Sequence, residues 1–221
     1  MSLDVEVVRG SDAGAGVGVL LHGRGADRAD MRSLVRELPR DWTWVLPNAP
    51  FEAAPWGYGP GYAWYRFLGS DQPDAASFAA SLAALDDLIA ALPAELGTAP
   101  QRLVLGGFSQ GGTVGLGYAF ARPGRVQAVL NFSGFLPVHE EVVVNGQGAG
   151  RVRVFWGHGT HDPSIPFALA VAGRQRLADA GVRLETHDYD IGHWIDPAEL
   201  ADAAAFLATL PDPSGGAARA G

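Results

Sequence analysis

Residues 102–121 read RLVLGGFSQGGTVGLGYAFA, and this stretch decides the fold. A short apolar run over Arg102–Gly106 is followed by a glycine-rich turn, and then by a helical pattern over Gln110–Ala121. Strand, tight turn and helix in that order put Ser109 where the chain reverses, with Gly107 and Gly111 on either side. A nucleophile on such a turn needs small neighbours, because the turn is strained and crowded. Gly112 leaves further room for close packing. The turn also sets Ser109 at a helix N-terminus, where backbone N–H groups can meet developing negative charge.

Outward from this stretch, β-branched apolar runs alternate with helical periodicity. Strands are expected at Val5–Val8, Gly16–Leu21, Thr43–Leu46, Arg102–Gly106, Val126–Phe132, Val152–Trp156 and Arg183–Tyr189. Helices are expected near Arg28–Leu38, Asp74–Leu92, Gln110–Ala121, Pro166–Ala180 and Pro197–Leu210. Continuously apolar central strands separated by helices mean parallel strands buried on both faces. The fold class is therefore α/β, with a mostly parallel central sheet of about seven strands and helices on both faces. A single domain over residues 1–210 is expected, with a disordered tail over 211–221. Asp41–Asp71 departs from the alternation, having a strand, Pro/Gly punctuation and many aromatics but no clear helix. Gly14-x-Gly16-x-Gly18 precedes a strand, whereas a dinucleotide-binding loop follows one, so it reads as a turn.

Composition removes whole chemistries. The 24 acidic residues outnumber the 16 basic ones, all Arg, for a net charge of −8. Without Cys there is no thiol nucleophile, disulfide or cysteine-built zinc site. Without Lys there is no Schiff-base amine and no phosphate-loop lysine. The acidic balance argues against nucleic acid as a partner. Arg28, Arg32 and Arg36 fall at i, i+4 spacing and read as a solvated helix face. No signal peptide and no membrane-length apolar run stand out, so a cytoplasmic protein without stable membrane insertion is expected.

In wound sheets, ligands bind beyond the carboxyl ends of the strands. Four of these ends carry chemistry: His22-Gly23-Arg24-Gly25, the Ser109 turn, Gly157-His158-Gly159-Thr160-His161-Asp162, and Asp190-Ile191-Gly192-His193. A Ser hydroxyl needs a base, and the chain order Ser, acid, His is that of α/β-hydrolases. That order selects His193 as general base and Asp162 as the acid that orients it, with Asp190 the rival and Asp188 a weaker one. The oxyanion hole would take one N–H from Gln110 and a second from Arg24, with Gly25 as the alternative donor. His22 reads as structural, bonding nearby backbone. His158-x-x-His161-Asp162 is too thin a spacing for a metal site, so neither metal nor cofactor is expected. The aromatic stretch Phe51–Phe67 suits either a substrate pocket or a satellite core, with Trp64 the ring expected to face a pocket.

These residues together resemble the phospholipase/carboxylesterase family of small α/β-hydrolases, which includes acyl-protein thioesterases and bacterial carboxylesterases. The matching pieces are Leu21–Gly25, Pro47–Pro50, Tyr62–Tyr65, Gly107–Gly112, Phe132–Pro137, His158-Gly159 with Asp162, and Gly192-His193. The resemblance implies a Ser109–Asp162–His193 triad hydrolysing carboxylic or thioester bonds in a small-molecule substrate. Phe135 joins Trp64 and Arg24 as an expected pocket residue, and a monomer or homodimer is expected. Acyl-protein thioesterases usually carry an apolar residue where this chain has Arg24, which favours short or polar acyl esters over long lipid chains. About 19 residues separate the strands ending at Phe132 and starting at Val152, too few for a large cap domain. Two rival functions share these residues: an acyltransferase or perhydrolase using the same acyl-enzyme, and a non-catalytic binding protein of hydrolase fold.

Overall fold

The computed structural model describes residues 3–211 except 13, 70 and 146–148; of the tail expected over 211–221, all but Pro211 lies outside them. In chain order the strands are β1 (Val5–Val8), β2 (Val17–Leu21), β3 (Thr43–Pro47), β4 (Phe51–Glu52), β5 (Tyr62–Ala63), β6 (Leu103–Phe108), β7 (Ala128–Phe132), β8 (Arg153–Gly159) and β9 (Arg183–Tyr189). The helices are α1 (Arg28–Val35), α2 (Ala75–Leu96), α3 (Gln110–Ala121), α4 (Phe167–Asp179) and α5 (Pro197–Ala208).

Seven strands form one sheet in the order β1-β3-β2-β6-β7-β8-β9. Only β1 runs antiparallel to its neighbour; every other pairing in this sheet is parallel. The α/β-hydrolase plan expected from the sequence is therefore present. Side chains alternate across the sheet and sort two cores. Val17, Val19 and Leu21 of β2 join Leu82, Val114 and Leu177 on one face, under α2, α3 and α4. Leu20 joins Met31, Trp44, Phe155 and Phe206 on the other, under α1 and α5. Gly18 exists to admit Trp44, since a Cβ there would lie 2.1 Å from the ring.

Local signals place the helices. Asp27, Asp74 and Asp196 sit before α1, α2 and α5, and their side chains accept from the backbone N–H groups of Ala29, Ser77 and Ala198. Helix α1 stops at Val35, short of the expected Leu38. Helix α2 runs through Pro93 to Leu96, past the expected end at Leu92, and closes on Gly97 in the left-handed conformation at φ 78°. It is long and apolar enough to span a membrane by length and composition, with mean hydropathy 1.6, which the sequence expectation had not anticipated. Here it packs on α3 and the sheet through Phe78, Leu82 and Leu85. Its Asp86 accepts from Tyr118 of α3 and from Arg122, which caps the end of that helix.

The irregular region 48–73 holds the β4–β5 hairpin. It is stitched to the loop after β2 by Gly25 N–H donating to the Tyr62 carbonyl and Tyr62 N–H donating to the Ala26 carbonyl. That stitch brings the aromatic segment to the carboxyl edge of the sheet.

Candidate active site

The strand–turn–helix over 103–121 folds as expected, and its glycines are required by close backbone approaches. A Cβ on Gly107 would lie 2.4 Å from the backbone of Gly111, and one on Gly111 would lie 2.1 Å from the Leu21 carbonyl oxygen. Ser109 adopts φ 56° and ψ −114°, a strained conformation for an L-residue with a side chain. It is held there by its N–H donating to the Phe132 carbonyl at 2.8 Å. The side chain is largely buried but opens onto a cavity of about 400 Å³.

The loops after β8 and β9 bring the other two groups to Ser109. His193 Nε2 lies 2.9 Å from Ser109 Oγ, and His193 Nδ1 lies 2.6 Å from Asp162 Oδ2. The other Asp162 oxygen accepts from the N–H groups of Ser164 and Ile165, both at 2.8 Å, so the carboxylate cannot rotate away. The ring of Phe108 packs 4.7 Å from the His193 ring, centroid to centroid. The three residues thus form one relay: a hydroxyl against an imidazole, and the imidazole against a buried carboxylate. A relay of this kind can activate the hydroxyl for attack on a carbonyl.

Asp190, the rival acid, points elsewhere. It accepts from His161 Nε2 at 2.7 Å in an exposed pair. Asp188 pairs with Arg174. His158 is fully buried, and its Nε2 donates to the Ile165 carbonyl; burial lowers its pKa, so it stands neutral behind the Asp162 loop. Among the described residues no group of three or more His, Asp or Glu is placed to hold a metal.

His22 has the structural place expected of it. It is fully buried, with Nδ1 donating to the Gly23 carbonyl at 2.7 Å and Nε2 accepting from Ala49 N–H at 3.0 Å. Burial lowers its pKa, which keeps the ring neutral and lets Nε2 accept. This pins the loop that carries Arg24. The Gly25 N–H is committed to Tyr62, so of the two candidate donors only the Arg24 N–H has no acceptor among the described residues. The Gln110 N–H opens α3 and has no intrahelical acceptor.

The pocket walls differ from expectation. Trp64 is fully buried, with its Nε1–H donating to the His22 carbonyl, and it does not line the cavity. Its role is in the core, where it joins the cluster on the α2, α3 and α4 face of the sheet. Tyr65 and Phe67 line the cavity instead, with Phe135, Phe108, Arg24, Ile165 and Trp194. The reason lies in the Gln110 side chain, whose Oε1 accepts from Trp64 N–H and whose Nε2 donates to the Tyr65 carbonyl. Those two bonds fix which rings face inward. Composition and spacing gave no sign of them. The residues that follow the acid and the base, Ile165 and Trp194, were findable by adjacency alone.

Glu199 was not singled out in the sequence. It is fully buried in the first turn of α5, directly under Gly157, where a Cβ would lie 2.0 Å from Glu199 Oε1. Burial pushes its pKa up from the usual carboxylate range to about 8.

With this geometry in place, comparison with known proteins is specific. The family model described as Phospholipase/Carboxylesterase matches residues 3–211. Acyl-protein thioesterase 1 from Mycosarcoma maydis is 30% identical over 210 residues, covering 85% of this chain and 88% of that protein. The crystal structure of esterase PE8 superposes with a TM-score of 0.79 at 27% identity, covering 96% of this chain and all of that one. The Bacillus cereus carboxylesterase superposes with a TM-score of 0.81 over 95% of each chain, at 18% identity, a likeness of fold.

Proposed function

The chain belongs to the phospholipase/carboxylesterase family of α/β-hydrolases, as a serine esterase or thioesterase, and we propose that it works through an acyl-enzyme on Ser109 with short-chain or polar substrates. The observation that carries this reading is the continuous Ser109–His193–Asp162 relay opening onto the cavity.

The steps follow from the atoms. Ser109 Oγ attacks the carbonyl carbon while its proton passes to His193 Nε2. Asp162 holds the opposite ring nitrogen and stabilises the imidazolium. The carbonyl oxygen becomes an oxyanion between the N–H groups of Gln110 and Arg24; in comparable sites one such donor is worth ~3–4 kcal/mol. The intermediate collapses, the C–O or C–S bond breaks, and His193 returns the proton to the leaving alcohol or thiol. Water, deprotonated by His193, then attacks the acyl carbon and frees Ser109.

Chain length follows from the cavity. Its volume of about 400 Å³ lies toward the small end of ligand pockets, and Phe67, Phe135 and Ile165 wall it. That suits short acyl groups better than a palmitoyl chain. Family membership favours hydrolysis over the two rival functions.

A fluorophosphonate probe and a p-nitrophenyl ester series from acetate to palmitate test the proposal. Wild type is expected to label covalently and to peak at short chains. Ser109→Ala should lose labelling and at least about 10³-fold in kcat. Retained turnover in folded Ser109→Ala would remove Ser109 from the mechanism, and a palmitate optimum would overturn the short-chain assignment.

A further inference from the structure

We propose, resting on the Ser109 acyl-enzyme reading, that the esters this site selects carry an anionic group, such as a carboxylate, which the Arg24 guanidinium receives. Arg24 lines the same cavity as Ser109, Gln110 and His193. No Lys exists in the chain, and no second Arg lines this cavity, so Arg24 is its one permanent cation among the described residues.

Arg24 also has no carboxylate partner among the described residues. Arg28, Arg32, Arg122 and Arg174 each face a carboxylate within ion-pair distance. Arg24 faces none among the described residues, and it is exposed while contributing to the cavity lining. Its guanidinium lies over the Tyr58 ring, 4.8 Å from the centroid. Stacking of this kind orients the planar group while leaving its edge N–H donors free. An edge so presented matches a carboxylate, which can accept two parallel N–H bonds.

The opposite charge at the cavity belongs to Asp30, in the first turn of α1 beside Met31 and Leu34. Asp30 and Arg24 do not pair. A substrate anion is repelled by Asp30 and drawn to Arg24, which biases its orientation as well as its affinity. The net charge of −8 repels anions at long range, so a local cation matters more here than it would on a basic protein.

Two matched ester pairs test this. One is mono-p-nitrophenyl adipate against p-nitrophenyl hexanoate, with the anion on the acyl side. The other is 4-acetoxybenzoate against 4-acetoxybenzamide, with the anion on the leaving group. In at least one pair, wild-type kcat/KM should favour the anion by about fivefold. Arg24→Met should bring that ratio to one or below, and Arg24→Lys should keep part of it. Any loss common to both members of a pair divides out of the ratio, so damage to the backbone at Arg24 cannot imitate the result. Ratios near one in both wild-type pairs, or a preference that survives Arg24→Met, would overturn the assignment of Arg24. Failure to turn over any of the four esters would instead remove the acyl-enzyme reading beneath it, and this proposal with it.

Discussion

Two serines end adjacent strands of the sheet with nearly the same positive φ, and with different outcomes. Ser109 follows β6 at φ 56°, and Ser133 follows β7 at φ 53°. Each donates its N–H to a carbonyl on the next strand, Ser109 to Phe132 and Ser133 to Gly157. They are the non-glycine residues with positive φ among the described residues. Ser109 opens a twelve-residue helix, faces an imidazole and touches the cavity. Ser133 is 1% exposed, and its hydroxyl has no hydrogen-bond partner among the described residues. A strained turn at a strand end is thus an architectural device for leaving a parallel sheet. It becomes a candidate nucleophile site only where a helix N-terminus and a base converge on it.

Replacing each serine by glycine tests the comparison at its widest. Ser109→Gly should lose at least about 10³-fold in kcat, while Ser133→Gly keeps most of it. Comparable losses in steady-state ester assays would mean that the second turn also serves the chemistry. The next largest effect separates the two candidate acids on the Ser109 side. Asp162→Asn should cost about 10²–10⁴-fold in kcat, and Asp190→Asn less than about threefold. The reverse ranking would make Asp190 the acid.

A third effect belongs to the Ser133 side, because Glu199 packs beneath Gly157, whose carbonyl holds Ser133. The folded-state pKa of Glu199 is raised to about 8, so folding holds its proton where the unfolded chain has already released it. Stability should therefore fall as pH rises from the usual carboxylate range to about 8, and level off above. Glu199→Gln should flatten that decline and be the more stable form at pH 9, by on the order of 2 kcal/mol, in denaturant titrations at pH 5, 7 and 9. Equal pH slopes would show that Glu199 does not titrate there. The smallest effect is relief of strain. Both serine-to-glycine variants should gain about 0.5–1 kcal/mol in the same titrations, since glycine adopts positive φ without a Cβ penalty.

What the sequence made legible follows from locality. Ser109 directly follows β6, and Asp162 and His193 lie in the loops after β8 and β9; a parallel sheet gathers such ends at one edge, so chain order could bring them together. Asp190 competed because it shares a loop with His193. What separates the two acids is that Asp162 meets His193 while Asp190 meets His161, and these contacts join residues 31 and 29 apart. Trp64 was misplaced for a similar reason. In an irregular segment no period says which ring faces inward, and the orientation here comes from a glutamine 46 residues away. Glu199 lies in the first helical turn after Asp196, where a glutamate ordinarily faces water. Its burial depends on the missing side chain of Gly157 on another strand, which no local pattern encodes.

The loops after β8 and β9 are laced twice in opposite sense. Asp162 of the first meets His193 of the second, and His161 of the first meets Asp190 of the second. Backbone bonds from Thr160 to Tyr189 and from His161 to Ile191 close the seam at 2.8 and 3.0 Å. These contacts continue beyond the sheet the pairing that joins β8 to β9 within it. Heat inactivation is therefore expected to coincide with global melting, without an earlier stage in which the fold persists and activity has already gone.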